Sequence, residues 1–399
     1  MKHLKSTKTI ITVFSITFAA LMLLAVSTNS EFKKLKCKTE VVYQTAIPKQ
    51  GDSYETALEK ANLLDLMKHY GVPGISFAII KDGKLEWSKG YGHLQKGKEV
   101  EVNEETMFSV GSVSKVGAAV VILKLVSEGK LDLDTNVNNY LRSWKIEDNN
   151  YTLKKPVTLR TIMSHTSGLT VHGFADYLPH ERLPTTVEIL EGKYPAKNGP
   201  VYVNFPVGSR YRYSGGGTTV EQLLIEDVTK LTFHKATKDL LFTPLKMNRS
   251  SYQNPLPEDF GNIAKAHNSN GNVVALPRGY QAMPEAAASG LWTTPKDFSK
   301  LMIMLMNSYD GLNETFLPRQ LVNDMMTKVE PSNYGLGPRI DKRDEFISFS
   351  HNGANDSYRA DFTGFLYSKN GVIIFTNGRR GLDLIDEIKP ILTKVLNTK

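Results

Sequence analysis

The chain is short of cysteine: Cys37 is the only one in 399 residues. An intrachain disulfide is therefore excluded, and so is a metal site built on thiolates. Positive charge is scarce where a nucleic-acid partner would need it. The net charge is +8, but residues 1–38 hold seven lysines against one glutamate, so residues 39–399 carry only +2. No basic stripe interleaved with aromatics runs through that body, which argues against nucleic acid. Glycine (30) and proline (18) are too few for a disordered chain, and the sequence has neither an internal repeat nor a low-complexity segment.

What the chain does carry begins with Lys2, Lys5 and Lys8 ahead of an uncharged apolar run from Ile10 to Ser27. That grammar belongs to a signal sequence or signal anchor and not to a fold. Small residues at Ala25 and Ser27 favour cleavage, while the length of the run borders on the roughly 18–20 residues that span a bilayer. Lys33, Lys34, Lys36 and Lys38 follow the run, so charge does not fix its orientation. We expect export across a bacterial inner membrane to the periplasm or another extracytoplasmic site, with membrane contact only through this segment. Residues 1–27 are the expected leader and 28–52 a linker; Cys37 reads as an incidental exposed thiol.

Beyond the linker, Tyr54 to Tyr70 has the spacing of one amphipathic helix, with Leu58, Ala61, Leu64 or Leu66 and Met67 on one side. Ile75 to Lys81 and Lys84 to Gly90 read as strands around Asp82-Gly83, a type I′ hairpin turn. Leu159 to His165 is a helical turn, residues 171–210 are loop-rich, and Val220 to Leu241 is helical. Thr294-Pro-Lys-Asp297 caps a helix through Met306. Phe346 to Ser350, Tyr358 to Tyr367 and Val372 to Asn377 are short strands, and Leu382 to Leu396 closes the chain as a helix. The expected fold is therefore α+β. One antiparallel sheet takes strands from both ends of the domain (about 53–125 and 335–397), is flanked by helices, and carries a mostly helical insert at about 126–334.

Three polar constellations fall where those halves meet. Ser112-Val-Ser-Lys115 opens an apolar helical stretch closed by Gly129, and puts a hydroxyl and an amine one turn apart. Two further Ser-x-x-Lys matches, Ser30 to Lys33 and Ser127 to Lys130, open no apolar helix; composition alone yields roughly one or two such matches. Tyr211-Arg-Tyr213-Ser-Gly-Gly-Gly217 precedes the Val220 helix, and His351-Asn-Gly353 directly follows the Phe346 strand. His165, His172 and His180 are unevenly spaced and lack a carboxylate partner, so no metal is expected. A His-Glu-x-x-His helix and a Gly-x-Ser-x-Gly elbow are both absent. No cofactor is implied.

The order Ser-x-x-Lys, Tyr-x-x, basic-x-Gly resembles the penicillin-recognising serine hydrolases: class C β-lactamases, D-alanyl-D-alanine carboxypeptidases, D-aminopeptidases and family VIII esterases. Val72-Pro-Gly-Ile-Ser-Phe-Ala78, Ser164-His-Thr-Ser-Gly-Leu169, Ala288-Ser-Gly-Leu-Trp-Thr-Thr294 and Tyr334-Gly-Leu-Gly337 carry the same likeness, which spans roughly residues 54–397. It implies a β-lactamase/transpeptidase-like fold with Ser112 as nucleophile, Lys115 as its base and Tyr213 as proton relay. It further implies an oxyanion site between the Ser112 and Ala354 N–H groups, with His351, Gly353 and Gly215 at the substrate.

Two departures bear on the substrate. His351 stands where β-lactamases usually carry a lysine that attracts a carboxylate, and Gly215 stands where an asparagine would bind an acylamide. Both point to a small amide, ester or peptide, D-amino-acid peptides included. The alternatives are a β-lactamase or D-Ala-D-Ala carboxypeptidase acting on the cell wall, and a silent module that binds cell-wall fragments.

Overall fold

The computed structural model describes residues 51–274 and 282–398; the expected leader, nearly all of the linker, and Cys37 lie outside them. Two short helices come first, α1 (Tyr54–Lys60) and α2 (Leu63–Tyr70). The sequence reads this stretch as a single helix, but Asn62 between them has φ of 53°, a left-handed conformation that ends one helix and redirects the next. The redirection buries Leu58, Ala61, Leu66 and Met67 and leaves Leu64 66% exposed.

The hairpin follows as β1 (Gly74–Lys81) and β2 (Lys84–Gly92). Asp82 and Gly83 both have positive φ, as the expected turn requires. After β3 (Phe108–Ser109), a single 3-10 turn at Gly111–Val113 leads into α3 (Ser114–Ser127). The middle of the chain holds the short α4 (Leu159–Met163), α5 (Gly215–Thr229) and α6 (Ala286–Ser289), then β4 (Trp292–Thr293) and α7 (Pro295–Tyr309). The Thr294 side chain accepts from Asp297 N, which bears out the expected cap. The last part contains β5 (Arg339–Arg343), β6 (Phe346–Asn355), β7 (Tyr358–Phe365), β8 (Asn370–Thr376) and α8 (Gly381–Thr398).

Six strands form one antiparallel sheet in the order β2-β1-β8-β7-β6-β5. The fold is thus the mixed, two-ended sheet that the sequence implies. β1 and β8 are neighbouring interior strands and are buried almost throughout, because both faces are covered. Ala78, Ile80, Ile373 and Phe375 face the main core, where α7 packs on β1, β2 and β8. On the other face Phe77 meets Trp87 and Tyr91, Tyr54 of α1 meets Trp87, and α8 lies across β7 and β8. A continuous apolar run is the sequence signature of such a doubly covered strand.

Three local expectations need correction. The helix expected over Val220–Leu241 starts five residues earlier, because Ser214 caps the glycines at 215–217 through Gly217 N. It stops at Thr229, where Lys230 adopts φ of 61°, and a separate helix follows at Phe233–Thr237. β6 continues past Ser350 to Asn355, so His351 and Gly353 lie within the strand and not after it. β5 was not read as a strand at all: only Ile340 of its five residues is buried.

Candidate active site

The site starts with a tight turn. Gly111 has φ of 51°, and the Ser114 hydroxyl donates to its carbonyl at 2.5 Å while accepting from Leu291 N at 2.9 Å. This fixes Ser112 at the entrance to α3, whose residues from Ser114 to Leu123 are all buried. Lys115 is only 4% exposed. Its Nζ donates to Ser112 Oγ at 3.2 Å and to the Ala288 carbonyl of α6 at 2.7 Å. The hydroxyl and amine that the sequence sets one turn apart therefore meet in space.

Tyr213 approaches from the loop before α5. The next residue, Ser214, donates its backbone N–H to His165 Nδ1 at 3.2 Å and its hydroxyl to the Thr170 carbonyl at 2.8 Å. Lys115 Nζ lies 4.9 Å from the Tyr213 ring centroid, against its face. Tyr213 Oη is buried and has no hydrogen-bond partner. Five other rings crowd the same space. His165 lies 4.3 Å from Tyr213, His172 5.1 Å, Tyr334 6.1 Å and His351 6.2 Å, while Tyr211 stacks on Tyr334 at 5.7 Å. Burial, then the Lys115 charge, holds His165 well below the usual histidine range. It serves as a neutral acceptor in the wall.

The third side is β6. His351 Nδ1 lies 2.6 Å from the Asn352 carbonyl, and Nε2 is buried without a partner. Burial and the Lys115 charge push His351 down to about 4, so the ring is neutral at physiological pH. Gly353 presses on the Ser112 turn: a Cβ there would stand 1.9 Å from the Val110 carbonyl oxygen. A Cβ on Gly111 would likewise stand 2.6 Å from Ala354 N, so the Ser112 and Ala354 backbones run side by side. The Asn355 side chain locks this contact by donating to Ser109 Oγ and to the Ser289 carbonyl, both at 2.8 Å.

Ser112, Lys115, Tyr213, Gly215, His351 and Ala354 line one cavity of about 390 Å³, and Gly353 lies in the wall behind them. Gly215 leaves no room for a side chain. A Cβ there would come within 2.9 Å of the Phe174 ring and 3.0 Å of the His172 carbonyl. The loop carrying His172 and Phe174 therefore closes this flank. Neither residue is singled out for the cavity by its sequence, and Tyr334 is recognisable only from its Tyr-Gly-Leu-Gly segment.

A family model described as beta-lactamase matches residues 60–389. The chain belongs to the beta-lactamase family. It is 25% identical over 350 residues to the protein flp of Staphylococcus aureus strain MRSA252, covering 84% of this chain and 64% of that protein. It is 26% identical over 262 residues to the teichoic acid D-alanine hydrolase of S. aureus, covering 66% of this chain and 61% of that protein. The chain thus spans less than two thirds of the length of these relatives. Among solved structures, the D-amino acid amidase of Ochrobactrum anthropi SV3 superposes with a TM-score of 0.68 at 18% identity, over 86% of this chain and 99% of that one. The fold is the one shared by beta-lactamases and penicillin-binding proteins, and hydrolases are among the relatives.

Proposed function

We propose that the chain is an exported serine hydrolase that works through an acyl-enzyme on small esters, amides or peptides. The observation that carries this reading is the Lys115 amine, buried and within 3.2 Å of Ser112 Oγ on the cavity wall. With Lys115 as free amine, Ser112 Oγ attacks the carbonyl carbon and its proton passes to Nζ. The carbonyl oxygen becomes an oxyanion beside the adjoining Ser112 and Ala354 backbones, where N–H donors and the start of α3 favour negative charge. When the C–O or C–N bond breaks, the leaving group takes a proton from Lys115 with the unpartnered Tyr213 hydroxyl as relay. Water then attacks the acyl-enzyme by the same proton route, releasing the acid and restoring Ser112.

The electrostatics of the wall argue for a substrate without a carboxylate at the reacting centre. His351 is neutral, and Lys115, already committed to Ser112 and Ala288, is the only lysine or arginine among the described residues lining the cavity. Gly215 with Phe174 beside it removes the place for an acylamide-binding side chain. Both features favour a peptidase or esterase over a β-lactamase or carboxypeptidase. The name of the teichoic acid D-alanine hydrolase supports the same choice. The presence of Ser112, Lys115 and Tyr213 together on one cavity wall speaks against a module that only binds, which has no need of all three. Export rests on the composition of residues 1–38.

The test is intact-mass detection of acyl-enzyme with p-nitrophenyl esters, amino-acid amides and β-lactams. Wild type is expected to gain the acyl mass from esters, and Ser112→Ala to gain none. Equal labelling of both proteins would remove Ser112 as nucleophile.

A further inference from the structure

Besides the nucleophile, Lys115 Nζ meets the Ala288 carbonyl and the Tyr213 ring, and α5 reaches both. Tyr213 directly precedes Ser214, the cap of that helix, and Gln222 lies two turns into it. Gln222 is buried, and its side chain extends to the segment that carries the Ala288 carbonyl. Its Oε1 accepts from Ala287 N at 3.0 Å. Its Nε2 donates to the Pro284 carbonyl at 3.2 Å and to Thr186 Oγ at 3.1 Å. An N–H on one side and a proline carbonyl on the other admit only one orientation of the amide.

That segment needs a hold from outside. α6 is a single turn, so few hydrogen bonds of its own define it, and the Glu285 side chain before it does not cap it. Its two ends are fixed by other amides. Asn254 Oδ1 accepts from Met283 N at 3.2 Å and its Nδ2 donates to the Gly290 carbonyl at 2.8 Å, while Asn355 donates to the Ser289 carbonyl. Between those ends, among the described residues, Gln222 makes the only side-chain hydrogen bonds to residues 284–287. The Ala288 carbonyl comes next in the chain and accepts from Lys115 Nζ at 2.7 Å. A carbonyl oxygen can only accept, so Lys115 must aim an N–H at it in either protonation state. In the free amine, one N–H is then pinned at Ala288, and the electron pair is left available to Ser112 Oγ, 3.2 Å away.

We propose that Gln222 is a positioning residue for acyl transfer: it clamps the turn at 284–288 so that the Ala288 carbonyl orients the Lys115 amine toward Ser112. This rests on the acyl-enzyme reading above. Gln222 touches neither substrate nor the reacting atoms and acts only through Lys115. Its loss leaves Ala287 N and the Pro284 carbonyl without their side-chain partner, frees the turn to shift, and lets Nζ rotate away from Ser112.

The experiment measures kcat and KM for p-nitrophenyl acetate on the full chain, in a double-mutant cycle of Gln222→Met and Lys115→Met. Methionine keeps much of the length of either side chain without its hydrogen bonds. With Lys115 present, Gln222→Met is expected to lower kcat at least about tenfold and to leave KM within about twofold, because a displaced base costs rate and not binding. In the Lys115→Met background the same change is expected to move the residual kcat by less than about twofold, since the group that Gln222 positions is gone. A residue that served only the fold would lower both by the same factor. Thr186→Val is the control: it removes the third partner of Nε2, keeps the bonds to residues 284 and 287, and is expected to hold kcat within about twofold of wild type. Should Gln222→Met not fold, Gln222→Asn, an amide one methylene short of its partners, takes its place with the same expectations. Equal losses with and without Lys115, an unchanged kcat in the Gln222 variant, or an equal loss in Thr186→Val overturns the assignment; the acyl-enzyme reading then stands if Ser112→Ala is inactive. If Ser112→Ala still turns over p-nitrophenyl acetate, that reading fails and the role of Gln222 falls with it.

Discussion

Lys115 is the residue on which the chemistry turns, because it touches the nucleophile, a backbone carbonyl and an aromatic face at once. Substituting it separates its two roles. Lys115→Arg retains a cation but cannot release a proton near neutrality, and Lys115→Met retains much of the length of the side chain without the charge. If Lys115 is the base, both variants are expected to lose about 10²–10⁴-fold in kcat on a p-nitrophenyl ester with KM little changed. An arginine variant with a tenth or more of wild-type kcat would show that only the charge is needed. The Ser112–Lys115 contact was legible in the sequence because helical geometry fixes what lies three residues apart. The ring cluster was not. Tyr211, Tyr334, His165 and His172 come from three separate chain segments, and only tertiary packing brings them around Tyr213.

At the level of elements, the site depends on how closely β6 approaches the turn before α3. Gly353 permits this approach, since any Cβ would collide with the Val110 carbonyl. Gly353→Ala must push the strand outward and carry Ala354 and His351 away from Ser112. A displacement near 1 Å costs about 10²-fold in rate, whereas overpacking costs about 1–3 kcal/mol in stability. The expected result is a folded variant with kcat/KM reduced at least about 100-fold and a melting temperature lowered by only a few degrees; kinetics and calorimetry on one preparation check it. Strands with continuous apolar character, such as β1 and β8, were legible because both of their faces are covered. β5 was not, because an edge strand of sequence Arg-Ile-Asp-Lys-Arg buries one side chain and uses charge to deter further pairing. The glycine-rich start of α5 was missed because low helix propensity at 215–217 is overridden by the Ser214 cap and close packing.

Across the whole molecule, burying titratable groups near the site sets how stability responds to pH. Glu221 of α5 is 2% exposed, and burial, partly offset by the Lys115 charge, pushes it up to about 8; burial chiefly also pushes Glu285 up to about 8 and Asp176 up to about 7. A carboxyl raised by folding stabilises fully below its ordinary value and loses that contribution as pH climbs through the folded value. His165, His267 and His351 are lowered by burial, so their contribution is present above the ordinary histidine value and is lost below it. Between about pH 6.5 and 8 only the carboxyls change, and acidification should stabilise the fold. Below about 6.5 the histidines act in the opposite direction. Carboxyls lowered by ion pairs, such as Asp134 and Glu188, matter only below about 4.5. The melting temperature is therefore expected to rise on going from pH 8 to about 6.5, and to level off or fall below that. Glu221 and Glu285 each supply about 1–2 kcal/mol over that interval, or together roughly 2–5 °C for a domain of this size. The check is a melting series from pH 5 to pH 8.5 on wild type, Glu221→Gln and Glu285→Gln. Each substitution should flatten the alkaline limb and leave the acid limb in place. A melting temperature that climbs steadily from pH 6.5 to 8 would mean that these carboxyls are ionised in the folded protein.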